Sequence, residues 1–266
     1  MASGLIKSLA FLTWYLEQNF TGYAIGFALW GAGSSLRSGA WEALLHDLLK
    51  QWEALPEFTR IYGRCSALST LGVGAGELLG GVLIIMGYDF VLLISMMIPL
   101  VATFVFAVCV KDPPVDETVF EPDYFVTLKA GLKEAATNRA VLYILLTYSS
   151  LIILYGVFEE FVSPLLYEKG FSLMCVGILG AFISAMEAAG MALADRVRHI
   201  SLMQLLGLMG AASVVLALIY PIGGFWVPLL AGLYFLVFGM ASTLFGAELQ
   251  DAIEGPARAT VTSVAG

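Results

Sequence analysis

Charge is what this sequence has least of. Of its 266 residues only 13% are Asp, Glu, Lys or Arg, about half the share usual in soluble domains, while 59% are hydrophobic. A water-soluble globule is excluded, because a core of this size cannot hide so much apolar surface unless the solvent around it is also apolar. Cysteine is nearly as scarce. Cys65, Cys109 and Cys175 form no CxxC pair, which excludes a disulfide scaffold and a thiolate metal knot and leaves them as small buried hydrophobes. HExxH, GxSxG and GxxxxGK[ST] are all missing, and the two histidines, His46 and His199, belong to no spaced ligand cluster. No enzyme, metal site or cofactor is therefore expected. The net charge of −8 and the lack of a basic patch speak against nucleic acid as a partner. Glycine, 28 residues, follows no collagen period. The apolar runs show no two-residue alternation, which excludes transmembrane strands.

Long apolar runs are what is there. A helical span needs about 20 mostly apolar residues. Cutting the chain at charge, Pro and Gly gives eight runs, at 2–16, 22–45, 67–86, 90–110, 141–162, 173–194, 202–220 and 225–244. The first is short and contains Lys7. No small-residue cleavage site follows it, and Glu17, Gln18 and Asn19 form a polar turn, so it is read as a span and not as a signal peptide. The expected fold class is all-α, a polytopic membrane bundle of about eight helices, with lipid as its surroundings.

Lys and Arg give the orientation, because basic short loops stay in the cytoplasm. Lys50, Arg60, Arg64, Lys111, Lys129, Lys133, Arg139, Arg196, Arg198 and Arg258 follow even-numbered runs, whereas Lys169 stands alone among the connections on the other side. Both termini are expected in the cytoplasm. The longest connection divides the chain into 1–110, a linker at 111–139, and 140–266. The first half of the linker, KDPPVDETVFEPD, is acidic and broken by proline. Its second half sets Phe125, Leu128, Leu132 and Ala135 at helical spacing, a short amphipathic helix. Both a solvated linker touching the membrane surface and a defined coupling element fit that pattern.

A charged side chain inside a span costs at least about 2.5 kcal/mol on insertion scales, so each such residue is a functional candidate with a partner or cavity to face. The second run carries Arg37, Glu42, His46 and Asp47, with Ser38, Glu42 and His46 on one helical face. Placement near the inner surface, with Arg37 snorkelling and Asp47 among headgroups, is the structural alternative. The third run contains GVGAGELLGG, in which Gly72, Gly76 and Gly80, with Gly81, offer a small-residue stripe for close helix packing. Glu77 stands inside that stripe. Burial favours the neutral acid, so Glu77 is either a carboxyl that changes charge as a cavity alternates between sides or a neutral structural group hydrogen-bonded to a neighbouring helix. Glu187, on one face with Gly180 and Ser184, poses the same choice in the sixth run. Glu159 and Glu160, near Pro164, are read as interfacial.

At these residues the sequence resembles the major facilitator superfamily of secondary transporters. SGAWEALLHDLL is similar to the SGxxEALxYDxL stretch of the fourth helix in one bacterial branch, with His46 where Tyr is usual. GELLGG resembles GPxxGG of the fifth-helix antiporter motif, with Glu77 in place of Pro. MALADRVRH is similar to the GxLADRxGR loop pattern as repeated in the second half, and ARATVTS looks like the loop after the tenth helix. The resemblance implies a secondary active transporter of a small solute, either a proton-coupled exporter, an uncoupled facilitator or a non-transporting membrane scaffold. Glu42, Glu77, Glu187 and Arg37 would be its candidate groups for proton coupling or substrate binding. Asp47, Asp195, Arg196 and Arg198 would belong to a cytoplasmic gating region. Aligned in this way the runs match helices three to ten of twelve. The chain would thus be a gene fragment, have a misplaced start or be otherwise incomplete, and would not transport alone.

Overall fold

The computed structural model describes residues 2–36, 39–109, 124–219, 223–253 and 258–265, and among them there are helices and no strand. In lipid no water satisfies backbone N–H and C=O groups, so every spanning segment must close its hydrogen bonds internally. The helices are α1 (Ala2–Leu16), α2 (Phe20–Ser35), α3 (Ala40–Gln51), α4 (Phe58–Leu83), α5 (Tyr88–Cys109), α6 (Tyr124–Thr137), α7 (Arg139–Glu168), α8 (Leu173–Leu193), α9 (Leu202–Ile219), α10 (Trp226–Ala252) and α11 (Arg258–Ala265). Side-chain caps start several of them. Asn19 accepts from the Gly22 amide, Asn138 from Ala140 and Val141, and Ser172 from Cys175. Five stretches are long and apolar enough to cross a bilayer, namely Leu55–Met86, Tyr88–Cys109, Arg139–Glu168, Leu173–Val197 and Trp226–Ala252.

The second apolar run, expected as one span, is two helices. α2 stops at Ser35, and α3 restarts after Gly39, whose φ of +75° lies in the left-handed region that favours glycine. The break separates the two packing roles of the run: α2 lies on α1, while α3 lies against α4, α10 and α11.

α1, α2 and α5 form one layer. α1 meets α5 at Gly4, where a β-carbon would run into the Thr103 hydroxyl, and α2 meets α1 at Gly26, where one would run into the Trp14 indole. Of the residues of α5 only Leu92 is buried, and Phe104 is 69% exposed. A helix this apolar and this bare is solvated by lipid. α10 is the core of the remainder, surrounded by α7, α8, α9 and α4. Phe245, Leu249 and Leu205 are almost completely covered there. The amphipathic α6 is present, its covered face formed by Gly131 and Ala135 while Phe125 and Leu132 stay exposed, and it rests on α11 and α7.

The most extensive helix pairing among the described residues joins α4 to α8. They run antiparallel, with Gly63 beside Met191, Gly74 beside Ser184 and Gly81 beside Gly177. This corrects the expected glycine stripe. Around Gly72, Gly76 and Gly80 nothing lies within 4 Å of where a β-carbon would stand, whereas Gly81 does pack. At 100° per residue the two sets lie on different faces of α4. The cysteines also depart from expectation: Cys65 is half-buried and Cys109 and Cys175 are exposed, as small apolar groups facing lipid can be. Arg37 and the acidic half of the linker, 111–123, lie outside the described residues.

Candidate functional site

Where α4 and α8 cross, a cavity of about 60 Å³ opens between α4 on one side and α7, α8 and α10 on the other. That volume admits a few water molecules. Glu77 and Glu187 both line it, each about one turn from the contact of Gly74 with Ser184 and on opposite sides of it. Both are therefore set within the crossed length of the helices and not at its ends.

Each carboxylate has a hydroxyl partner on another helix. Ser184 Oγ of α8 donates to Glu77 Oε2 at 2.6 Å. Gly180 makes room for this group, since a β-carbon there would stand 3.1 Å from the Glu77 carboxyl carbon. Glu187 is only 5% exposed, and its Oε2 accepts from the Tyr155 hydroxyl of α7 at 3.1 Å. The Tyr155 ring is stacked on Phe238 at 3.8 Å and 10° and meets Phe235 edge-on, so two aromatic contacts from α10 fix where its hydroxyl points. Glu159, one turn along α7 from Tyr155, also lines the cavity, although it is exposed. Its reading as purely interfacial is thereby corrected. No Lys or Arg is among the lining residues.

Glu42 is not part of this cavity. It sits on α3 near the buried Tyr62 of α4 and the half-buried Tyr148 of α7, and its Oε2 is buried with no hydrogen-bond partner among the described residues. His46, one turn on, is covered and meets the Phe58 ring at 5.8 Å. Burial pushes the imidazole below its ordinary value, and Arg258 of α11 adds to this, while Asp47 and Asp251 oppose it. Gly39 fits tightly against the Ala259 carbonyl and Ser263 of α11. α11 is itself tied to α10, for Gln250 Nε2 donates to Thr262 Oγ1 at 2.7 Å and Arg258 Nη1 donates to the Gln250 carbonyl. α3, α4, α10 and α11 thus close one end of the bundle. Asp195, Arg196 and Arg198 follow α8 in a short turn packed on α4 and α10 at that end. Arg198 approaches Asp195 at 3.9 Å, and Asp47 is exposed beside His46.

Of the candidates read from the sequence, the fold brings Glu77 and Glu187 to one cavity and sets Glu42 and Asp47 at the closed end. Ser184 shared a helical face with Glu187 and was legible to that extent. Tyr155 carried a weaker signal, its four-residue spacing to Glu159 on α7.

Comparison with curated proteins and with solved structures finds no match. The family model described as Major Facilitator Superfamily matches residues 1–266. A full-length match of this kind, on a bundle of apolar spanning helices, makes the protein an integral membrane transporter and fits a non-enzyme. The chain belongs to the Major Facilitator Superfamily.

Proposed function

We propose that the protein is a proton-linked secondary transporter that exports a small solute across the cytoplasmic membrane by alternating access, with Glu77 and Glu187 as the coupling carboxyls. One observation carries this reading: two acids from facing helices, α4 and α8, share a small cavity with hydroxyl partners and no basic residue among its lining. A carboxyl there can take a proton while the cavity faces one side and lose it while the cavity faces the other. Rocking of 1–110 against 140–266 about the α4 and α8 crossing would change that access. Both termini and the 111–139 linker would lie in the cytoplasm, consistent with the Lys and Arg pattern. The partners are lipid, protons and the solute, and nucleic acid is not one of them. Each proton moved down one pH unit supplies about 1.4 kcal/mol, which sustains about a tenfold solute gradient.

The test is solute efflux in vesicles from cells expressing the gene at its native locus. Glu77→Gln and Glu187→Gln should each abolish the response of flux to an imposed pH gradient. Flux that keeps its pH response in both variants refutes the assignment, and flux indifferent to pH in the parent protein points to an uncoupled facilitator.

A further inference from the structure

Glu187 is 5% exposed and buried among apolar helices, whereas Glu159, one turn beyond Tyr155 on α7, is exposed and lines the same cavity. These two acids stand on different helices, and Tyr155 lines the cavity with both. The Tyr155 hydroxyl donates to Glu187 Oε2 at 3.1 Å, and Glu159 follows Tyr155 by four residues on α7, on the same helical face. We infer that Tyr155 is a proton bridge, linking Glu159, the exposed acid of the cavity lining, to Glu187, the buried one. The inference rests on the proton-linked reading above, and it names the route by which a proton arrives.

The step balances without any further reactant. Protonated Glu159 donates its O–H to Tyr155 Oη, and Tyr155 passes its own phenolic proton along the existing hydrogen bond to Glu187 Oε2. Glu159 is left as carboxylate, Tyr155 is again a neutral phenol, and Glu187 has become the acid. The negative charge has moved from the covered site to the exposed one, and no new charge has been made. Geometry favours the transfer because the ring cannot wander: Phe238 holds its face at 3.8 Å and Phe235 its edge. Of the elements around the hydroxyl, α10 offers these apolar rings, α8 offers Glu187, and α4 offers Glu77, which is already engaged by Ser184.

Hydrogen–deuterium exchange of the Glu187 carboxyl, followed by its infrared C=O stretch in the lipid-reconstituted chain, tests the bridge without knowledge of the solute. The pH is set low enough for the band to be present, and the band is assigned by its loss in Glu187→Gln. Tyr155→Phe keeps the ring and its stacking but removes the hydroxyl, and should slow exchange about tenfold or more, as loss of a positioned acid–base group does. Glu159→Gln, at an exposed position, should slow it too and decides the matter if Tyr155→Phe does not fold. Wild-type exchange in Tyr155→Phe or in Glu159→Gln overturns the bridge. The two proposals fail separately. Slowed exchange alongside flux indifferent to pH sinks the coupling and keeps the bridge, and the converse keeps the coupling alone.

Discussion

Replacing Gly177 by alanine should pry α4 from α8, whereas replacing Gly76, on the same pair of helices, should not. At Gly177 the new β-carbon would stand 2.6 Å from the Glu77 carbonyl oxygen and 2.7 Å from Gly81 Cα, against 3.4–4 Å for ordinary contact. Both obstacles are backbone and cannot rotate away, so the helix axes must separate by close to an ångström. Overpacking of this kind costs about 1–3 kcal/mol, and stretching the Ser184 to Glu77 hydrogen bond adds about 0.6 kcal/mol by the average for such bonds in membranes. The higher helix propensity of alanine returns up to about 1 kcal/mol. A net loss of about 1–2 kcal/mol results. At Gly76 nothing lies within 4 Å, so only the propensity gain remains. The two variants should differ by about 2 kcal/mol, or roughly 30-fold in the ratio of folded to unfolded protein. Reversible unfolding of the lipid- or micelle-embedded chain, measured by titration with a denaturing detergent, resolves that gap. If Gly177→Ala proves as stable as Gly76→Ala, the assigned packing face of α4 is wrong.

Two further outcomes follow from the closed end of the bundle. Gly39→Ala places a β-carbon into the Ala259 carbonyl at a residue whose φ is +75°; a loss of about 1–3 kcal/mol is expected, seen as a lower unfolding midpoint, and an unchanged midpoint contradicts the tight junction of α3 with α11. His46 is held below its ordinary value of 6.5, first by burial and then by Arg258. The folded state therefore binds this proton less well than the unfolded chain, so the contribution is fully present above pH 6.5 and is lost as pH falls below it. Thermal unfolding between pH 7.5 and pH 5, values chosen to bracket about one ordinary histidine transition, should show a loss in the parent chain that is smaller in His46→Gln. Equal losses in both would remove His46 as the cause.

The glycines of GVGAGELLGG show why part of this fold was readable and part was not. Spacing alone identifies α4 as a helix that a neighbour can approach closely, but Gly72, Gly76 and Gly80 compete with Gly74 and Gly81 for that role. The choice depends on where α8 lies, and that is not a local property. The same holds for α3, where a continuous apolar run conceals a break. Gly39 is permissive of a left-handed residue without requiring one, and the demand comes from α11, more than 200 residues further on.

By itself the sequence determined the solvent and the secondary structure. Low charge and runs of membrane length admit only lipid around helices, because backbone groups in hydrocarbon must bond within their own segment. It also marked Glu77 and Glu187 as costly, since the penalty for a carboxyl in an apolar helix depends on its own run and not on its neighbours. Only the tertiary structure decided that those two acids share a cavity, that Tyr155 and Ser184 are their partners, that Glu159 joins them and that Glu42 does not. Each of these is a matter of which helix faces meet, and faces meet through packing summed over the whole bundle, which no single stretch of chain encodes.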